Sequence, residues 1–189
     1  MPHITFVPFT GLRVREEGLR EYGMTLPGLA ERGRAVSELP ALGLLTLAGM
    51  LPEKWTSSYR SHTGNSEGLL EQILQEQPSL VAISALTASI EDAYRLSSQI
   101  RTFGIPVVIG GLHATACPNE ASQFCDSVVV GEGEAVWLQV LSDCEANALQ
   151  PTYSSFESST ITTWPAPRLN LLQHQKKQRH LPGKWRCLM

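Results

Sequence analysis

The stretch Leu80-Val81-Ala82-Ile83-Ser84-Ala85, running on into Leu86-Thr87, decides the fold. Its apolar residues are continuous rather than alternating, which is how a strand covered on both faces reads, and such strands are usually parallel. Two later runs have the same character: Pro106-Val107-Val108-Ile109-Gly110 and Ser127-Val128-Val129-Val130-Gly131. Ile4–Pro8 and Trp55–Tyr59 bring the number of expected strands to five.

Helical patterns fill the intervals. Pro40 suits a first helical turn and precedes Leu42, Leu44, Leu45, Leu47 and Leu51. Ser66 is the expected cap of a helix whose apolar pairs, Leu69/Leu70 and Ile73/Leu74, recur at four-residue spacing. Ser89 with Asp92 three residues on has the form of a capping box before Ala93, Tyr94, Leu96 and Ile100. Pro118 opens a short segment with Ala121 and Phe124. A last helix after Gly133 carries Val136, Trp137, Val140, Leu141 and Cys144 on one stripe. Strands alternating with helices require right-handed crossovers. The expectation is an α/β, flavodoxin-like (Rossmann-like) doubly wound sheet of five parallel strands in the order 2-1-3-4-5. Residues 1–148 form this domain, with 10–39 as a long loop or insert after the first strand. Residues 149–189, rich in Ser, Thr, Pro and Gln, read as linker and tail.

Composition removes several functions. Residues 1–150 carry 9 basic and 17 acidic side chains, so nothing attracts nucleic acid there. The tail carries 6 basic and 1 acidic, a solvated end. No run approaches the roughly 18–20 apolar residues of a membrane helix, and no leader pattern opens the chain. Cys117, Cys125, Cys144 and Cys187 show no close pairing and read as thiols of a cytoplasmic protein.

In doubly wound sheets ligands sit beyond the carboxyl ends of the strands, near the point where strand order reverses. Here those ends are Ser84-Ala85-Leu86-Thr87, Gly110-Gly111-Leu112-His113-Ala114-Thr115 and Gly131-Glu132-Gly133-Glu134. Small and hydroxylated residues let a bulky organic ligand approach exposed backbone N–H groups. No P-loop, no G-x-S-x-G elbow and no aspartate at the third strand end supports nucleotide hydrolysis, an esterase or phosphate acceptance. His113 and Cys117 stand at helical spacing, but two ligands without a third do not make a metal site, and none is expected. Glu132 and Glu134 open a helix, where the dipole accounts for acidic residues.

Leu39–Ala48, the LVAISALT run at 80–87, GIPVVIGGLHAT at 104–115 and DSVVVGEGE at 126–134 occur in an order that resembles the cobalamin-binding domain of cobalamin-dependent radical S-adenosylmethionine enzymes. Pro165–Leu172 is similar to the connector leading into their catalytic barrel. The resemblance implies cobalamin across the strand ends. Ser84, Leu86 and Thr87 would meet its tail and corrin, Gly110 and Gly111 would pass beneath the tail, and Gly131, Glu132 and Gly133 would close the pocket. The histidine motif D-x-H-x-x-G is absent after the first strand, and His62 does not replace it, so no histidine is expected on cobalt.

The family's C-x-x-x-C-x-x-C motif would follow the connector, but only Cys187 is found there. An iron–sulfur cluster and S-adenosylmethionine are thus expected of the full-length family and not of these residues, which contain no catalytic group for the parent chemistry. The leading expectation is a cobalamin-binding module orphaned from a methyltransferase or related radical enzyme, either as a truncated gene product or as a stand-alone protein partnered by a separate radical S-adenosylmethionine domain or subunit. The alternative is an interaction or regulatory domain of the same fold that binds no cofactor. A small enzyme using another cofactor lacks an acid–base constellation.

Overall fold

A computed structural model describes residues 1–9, 40–61, 67–155 and 164–172. The connection 10–39, Ser66, His62 and the tail from 173 onward lie outside the described residues.

The elements follow the expected alternation: β1 (His3–Phe9), α1 (Leu42–Gly49), β2 (Thr56–Tyr59), α2 (Glu67–Gln75), β3 (Leu80–Ala85), α3 (Ile90–Arg101), β4 (Val107–Gly110), α4 (Leu112–Ala116), α5 (Pro118–Ala121), β5 (Ser127–Gly131), α6 (Gly133–Glu145) and β6 (Thr152–Ser155). Short 3-10 turns occupy Thr87–Ser89 and Leu169–Leu172. All pairings are parallel and the order is β2-β1-β3-β4-β5-β6. The expected order holds for the first five.

The sixth strand corrects the count of five. It pairs with β5 from Val128↔Thr152 to Gly131↔Ser155. Its sequence, Thr-Tyr-Ser-Ser, buries only Tyr153. An edge strand covered on one face needs no apolar run, because its partner's backbone supplies the ladder.

Alternation along the strands sorts the core into two layers. Val7, Phe9, Val81, Ile83, Val107, Ile109, Val128 and Val130 pack against α2, α3 and the α4–α5 pair. Ile4, Phe6, Leu80, Ala82, Val108, Val129 and Tyr153 pack against α1 and α6. Each fully buried side chain of this size contributes about 1.5–3 kcal/mol, so the interior strands are held from both sides. Trp137 of α6 reaches Phe6, with ring centroids 5.8 Å apart, and the expected stripe Val136, Trp137, Val140, Leu141 and Cys144 faces this layer.

Ser89 is a second correction. It occupies the N-cap position of α3 but makes no side-chain cap bond. Its hydroxyl donates to Phe9 O at 2.8 Å, and Leu86 N donates to the same carbonyl at 3.3 Å. The last carbonyl of β1 lies closer to the hydroxyl's reach than a free helix N–H does, so the serine stitches β1 to β3 where strand order reverses.

Charge collects at the amino-terminal rim. Asp126 accepts from Val107 N at 2.8 Å and from Arg101 Nε at 3.0 Å. Glu145 accepts from Trp55 Nε1 at 2.7 Å and Lys54 Nζ at 2.6 Å. Beside β1 and β2, Glu76 accepts from Thr5, Ser58 and Arg60. Burial pushes the Glu76 carboxyl up, but hydrogen bonds from His3, Ser58, Thr5 and Arg60 outweigh it and hold the group at about 2.

The segment after β6 returns to α1. Arg168 N donates to Leu45 O at 2.9 Å, and a Cβ on Gly49 would lie 2.7 Å from Ala166 O. Leu171 is buried in the α1–α6 layer beside Tyr59. Among the described residues no helix is long and apolar enough to cross a membrane.

Candidate functional site

The residues singled out in the sequence assemble along the carboxyl ends of β3, β4 and β5. Ser84 and Gly110 are register partners on adjacent strands, both half-buried, on the α1–α6 side of the sheet. Leu86 is extended and 38% exposed just past β3, and Thr87 is exposed beside it. Gly131 ends β5, Glu132 is the N-cap of α6 and Gly133 its first residue.

Two of these glycines are dictated by backbone conformation. Gly111 has φ +99, and a Cβ there would lie 2.8 Å from Ser84 Oγ and 3.2 Å from Ala85 O. Gly131 has φ +84, and its Cβ would lie 2.5 Å from Ser155 O. Side chains rarely adopt this region, so glycine lets the strand ends turn sharply into their helices. Gly110 differs: an added Cβ would meet only Val129, at 3.5 Å or more. Nothing in the turn demands glycine there, which leaves the space above it as the reason for a residue without a side chain.

Hydroxyls tie these turns together. Thr115 Oγ1 accepts from Gly131 N at 3.0 Å, linking α4 to the end of β5. Thr87 Oγ1 is 3.2 Å from His113 Nδ1. His113 is hydrogen-bonded and buried within α4. Its other nitrogen is 3.3 Å from Glu120 Oε1. Sequence reasoning gave Thr115, the last residue of the fourth strand end, no role of its own, although it stands one helical turn from Gly111 and so had to face back towards the rim. It also missed Leu47, whose methyl would lie 3.6 Å from a Cβ on Gly133 and which roofs this end of α6.

A cavity lies elsewhere. It measures about 560 Å³ and is lined at the amino-terminal rim by Pro2, Lys54, Trp55, Ser79, Cys144 and Glu145 among others. It is shallow and open, and its one carboxylate is already satisfied by Lys54 and Trp55. Donor chemistry, rather than volume, favours the opposite rim.

At that rim the residues suit a large uncharged organic group. The row Ser84, Gly110, Gly131 presents a hydroxyl and little side-chain bulk. Below it, one turn into α6, the buried Trp137 Nε1 has no hydrogen-bond partner among the described residues. A doubly wound parallel sheet with this row at its switch point defines a cofactor-binding α/β domain.

Comparison with known proteins makes the class specific. Residues 31–141, more than half of the chain, match the family described as B12 binding domain. The chain belongs to that family and is a cobalamin-binding domain. It is 32% identical over 105 residues to bacteriochlorophyllide d C-12(1)-methyltransferase of Chlorobaculum tepidum, covering 54% of this chain and 23% of that protein. With bacteriochlorophyllide d C-8(2)-methyltransferase of the same organism it shares 37% over 76 residues, 40% of this chain and 17% of the relative. An uncharacterized methyltransferase of Synechocystis sp. is 28% identical over 136 residues, 71% of this chain and 25% of the relative. The chain thus spans a quarter or less of the length of these relatives.

Proposed function

We propose that cobalamin lies across the carboxyl ends of β3, β4 and β5, with its nucleotide tail entering between the sheet and the α1–α6 layer. Ser84, Leu86 and Thr87 line one wall, Gly110 and Gly111 form the floor, and Gly131, Glu132 and Gly133 close the far side. The observation that carries this reading is Gly110, a glycine with no local conformational need, in register with the half-buried Ser84. A dimethylbenzimidazole nucleotide needs a slot with small walls and few charges, and these residues supply both. When bound, cobalamin supplies a cobalt centre able to carry a methyl group. The chain's own contribution is to grip the tail, orient the corrin and keep the rim free of competing charge.

The similarity to methyltransferases supports a role as the cobalamin module of a methyl-transferring enzyme of the radical S-adenosylmethionine class. The module extends beyond the expected 1–148 to take in β6 and residues 164–172, and the catalytic part belongs to another domain or a separate subunit. The iron–sulfur cluster and adenosylmethionine belong to that other part.

The test is a visible-absorbance titration of the chain with hydroxocobalamin. Saturable binding is expected, and Gly110→Leu, which overfills the slot, should weaken it about 10- to 100-fold while the far-ultraviolet dichroism stays native. Unchanged affinity in a folded variant would move the pocket away from this rim. A wild-type protein that stays colourless would favour an interaction domain instead.

A further inference from the structure

His113, Cys117 and Glu120 form a cluster that the cobalamin reading does not use. The helical run of α4 breaks at Cys117, with φ −129 and ψ 58, and Pro118 starts α5 at once. This break turns Glu120 back over His113. One donor atom from each of the three residues lies within 4.8 Å of the others. His113 Nε2 and Glu120 Oε1 are 3.3 Å apart. Two donor atoms each bonded to one tetrahedral zinc sit about 3.4 Å apart, so this pair already stands near coordination spacing.

The imidazole is also oriented for the task. Its Nδ1 meets Thr87 Oγ1 at 3.2 Å; with a metal on Nε2 in place of the proton shared with Glu120, the imidazole would carry its proton on Nδ1 and donate it to this hydroxyl. Tyr94 packs edge-on against the ring, at 6.2 Å between centroids, and fixes its plane. Cys117 is the exposed thiol among those described, whereas Cys125 is buried and Cys144 half-buried.

We propose that His113, Cys117 and Glu120 bind one Zn²⁺ ion, with solvent in the fourth position. The mixed nitrogen, sulfur and oxygen set suits this borderline ion, and three protein ligands leave one position exchangeable. Bound zinc would pin α5 to α4 and, through the Thr87 contact, brace the end of β3. None of the three ligands is assigned to the cobalamin pocket, and Thr87 is the residue the two sites share.

The experiment uses the full chain, stripped of metal and free of cobalamin, titrated with Zn²⁺ by calorimetry and with Co²⁺ by absorbance. One ion per chain is expected, with a thiolate-to-cobalt charge-transfer band. Cys117→Ser should abolish that band. Cys117→Ser and Glu120→Gln, both at exposed positions, should each weaken Zn²⁺ more than the about 10- to 100-fold typical of an outer-shell loss, while Thr87→Val falls within that range. Absence of saturable binding overturns the proposal. So does binding that survives both ligand substitutions at full strength, because the ion would then sit on other thiols or imidazoles.

Discussion

The two rims of the sheet are built from opposite materials. At the amino-terminal rim, Asp126 and Glu145 each take two donors and clamp strands to helix ends. At the carboxyl rim the same joints are made by Thr115, Thr87 and Ser89 hydroxyls and by Gly111 and Gly131 in left-handed turns. Charge fixes the first rim in place; neutral, low-bulk contacts fix the second and leave its surface usable. A cavity of about 560 Å³ lies at the charged rim, where its carboxylate, Glu145, is already taken by Lys54 and Trp55.

The sharpest way to break this contrast is to fill each rim in turn. Gly110→Leu should cost about 10- to 100-fold in cobalamin affinity, whereas Ser79→Trp, which fills the cavity at the other rim, should leave it unchanged. Equal losses in the two titrations would erase the distinction. Next in size is Gly131→Val, which places a Cβ against Ser155 O in a strained backbone region. It should lower stability by about 1–3 kcal/mol in denaturant melts and loosen β6 first.

Acid probes a third kind of joint, the Glu76 cluster. Its folded value of about 2 lies below the usual carboxylate range, so its stabilisation is complete above the unfolded value and fades as pH falls from about 4.5 towards 2. After allowance for solvent screening the loss is on the order of 1 kcal/mol, and Glu76→Gln should flatten that part of the pH–stability curve. Smallest is Ser89→Ala, which removes the bond to Phe9 O and should cost about 1 kcal/mol in thermal melts.

The carboxyl rim was largely legible in the sequence, because continuous apolar runs mark interior parallel strands and small residues after them stand out. What escaped has physical causes. β6 is polar because an edge strand borrows its order from a neighbour. Ser89 has the spacing of a cap, but its acceptor, Phe9 O, belongs to another strand and cannot be seen locally. Glu120 joins His113 only because the backbone breaks at Cys117, which resets the helical phase; spacing within one helix does not foresee it.

The path of residues 164–172 has a directional consequence. The segment meets Gly49 at the end of α1, then Leu45, and then Tyr59 at the end of β2, so it climbs antiparallel to α1. Along the described segment, Arg168 therefore lies nearer the carboxyl rim than Ala166 does. On the proposed placement of cobalamin, that direction points the segment towards the corrin face rather than around the base of the sheet.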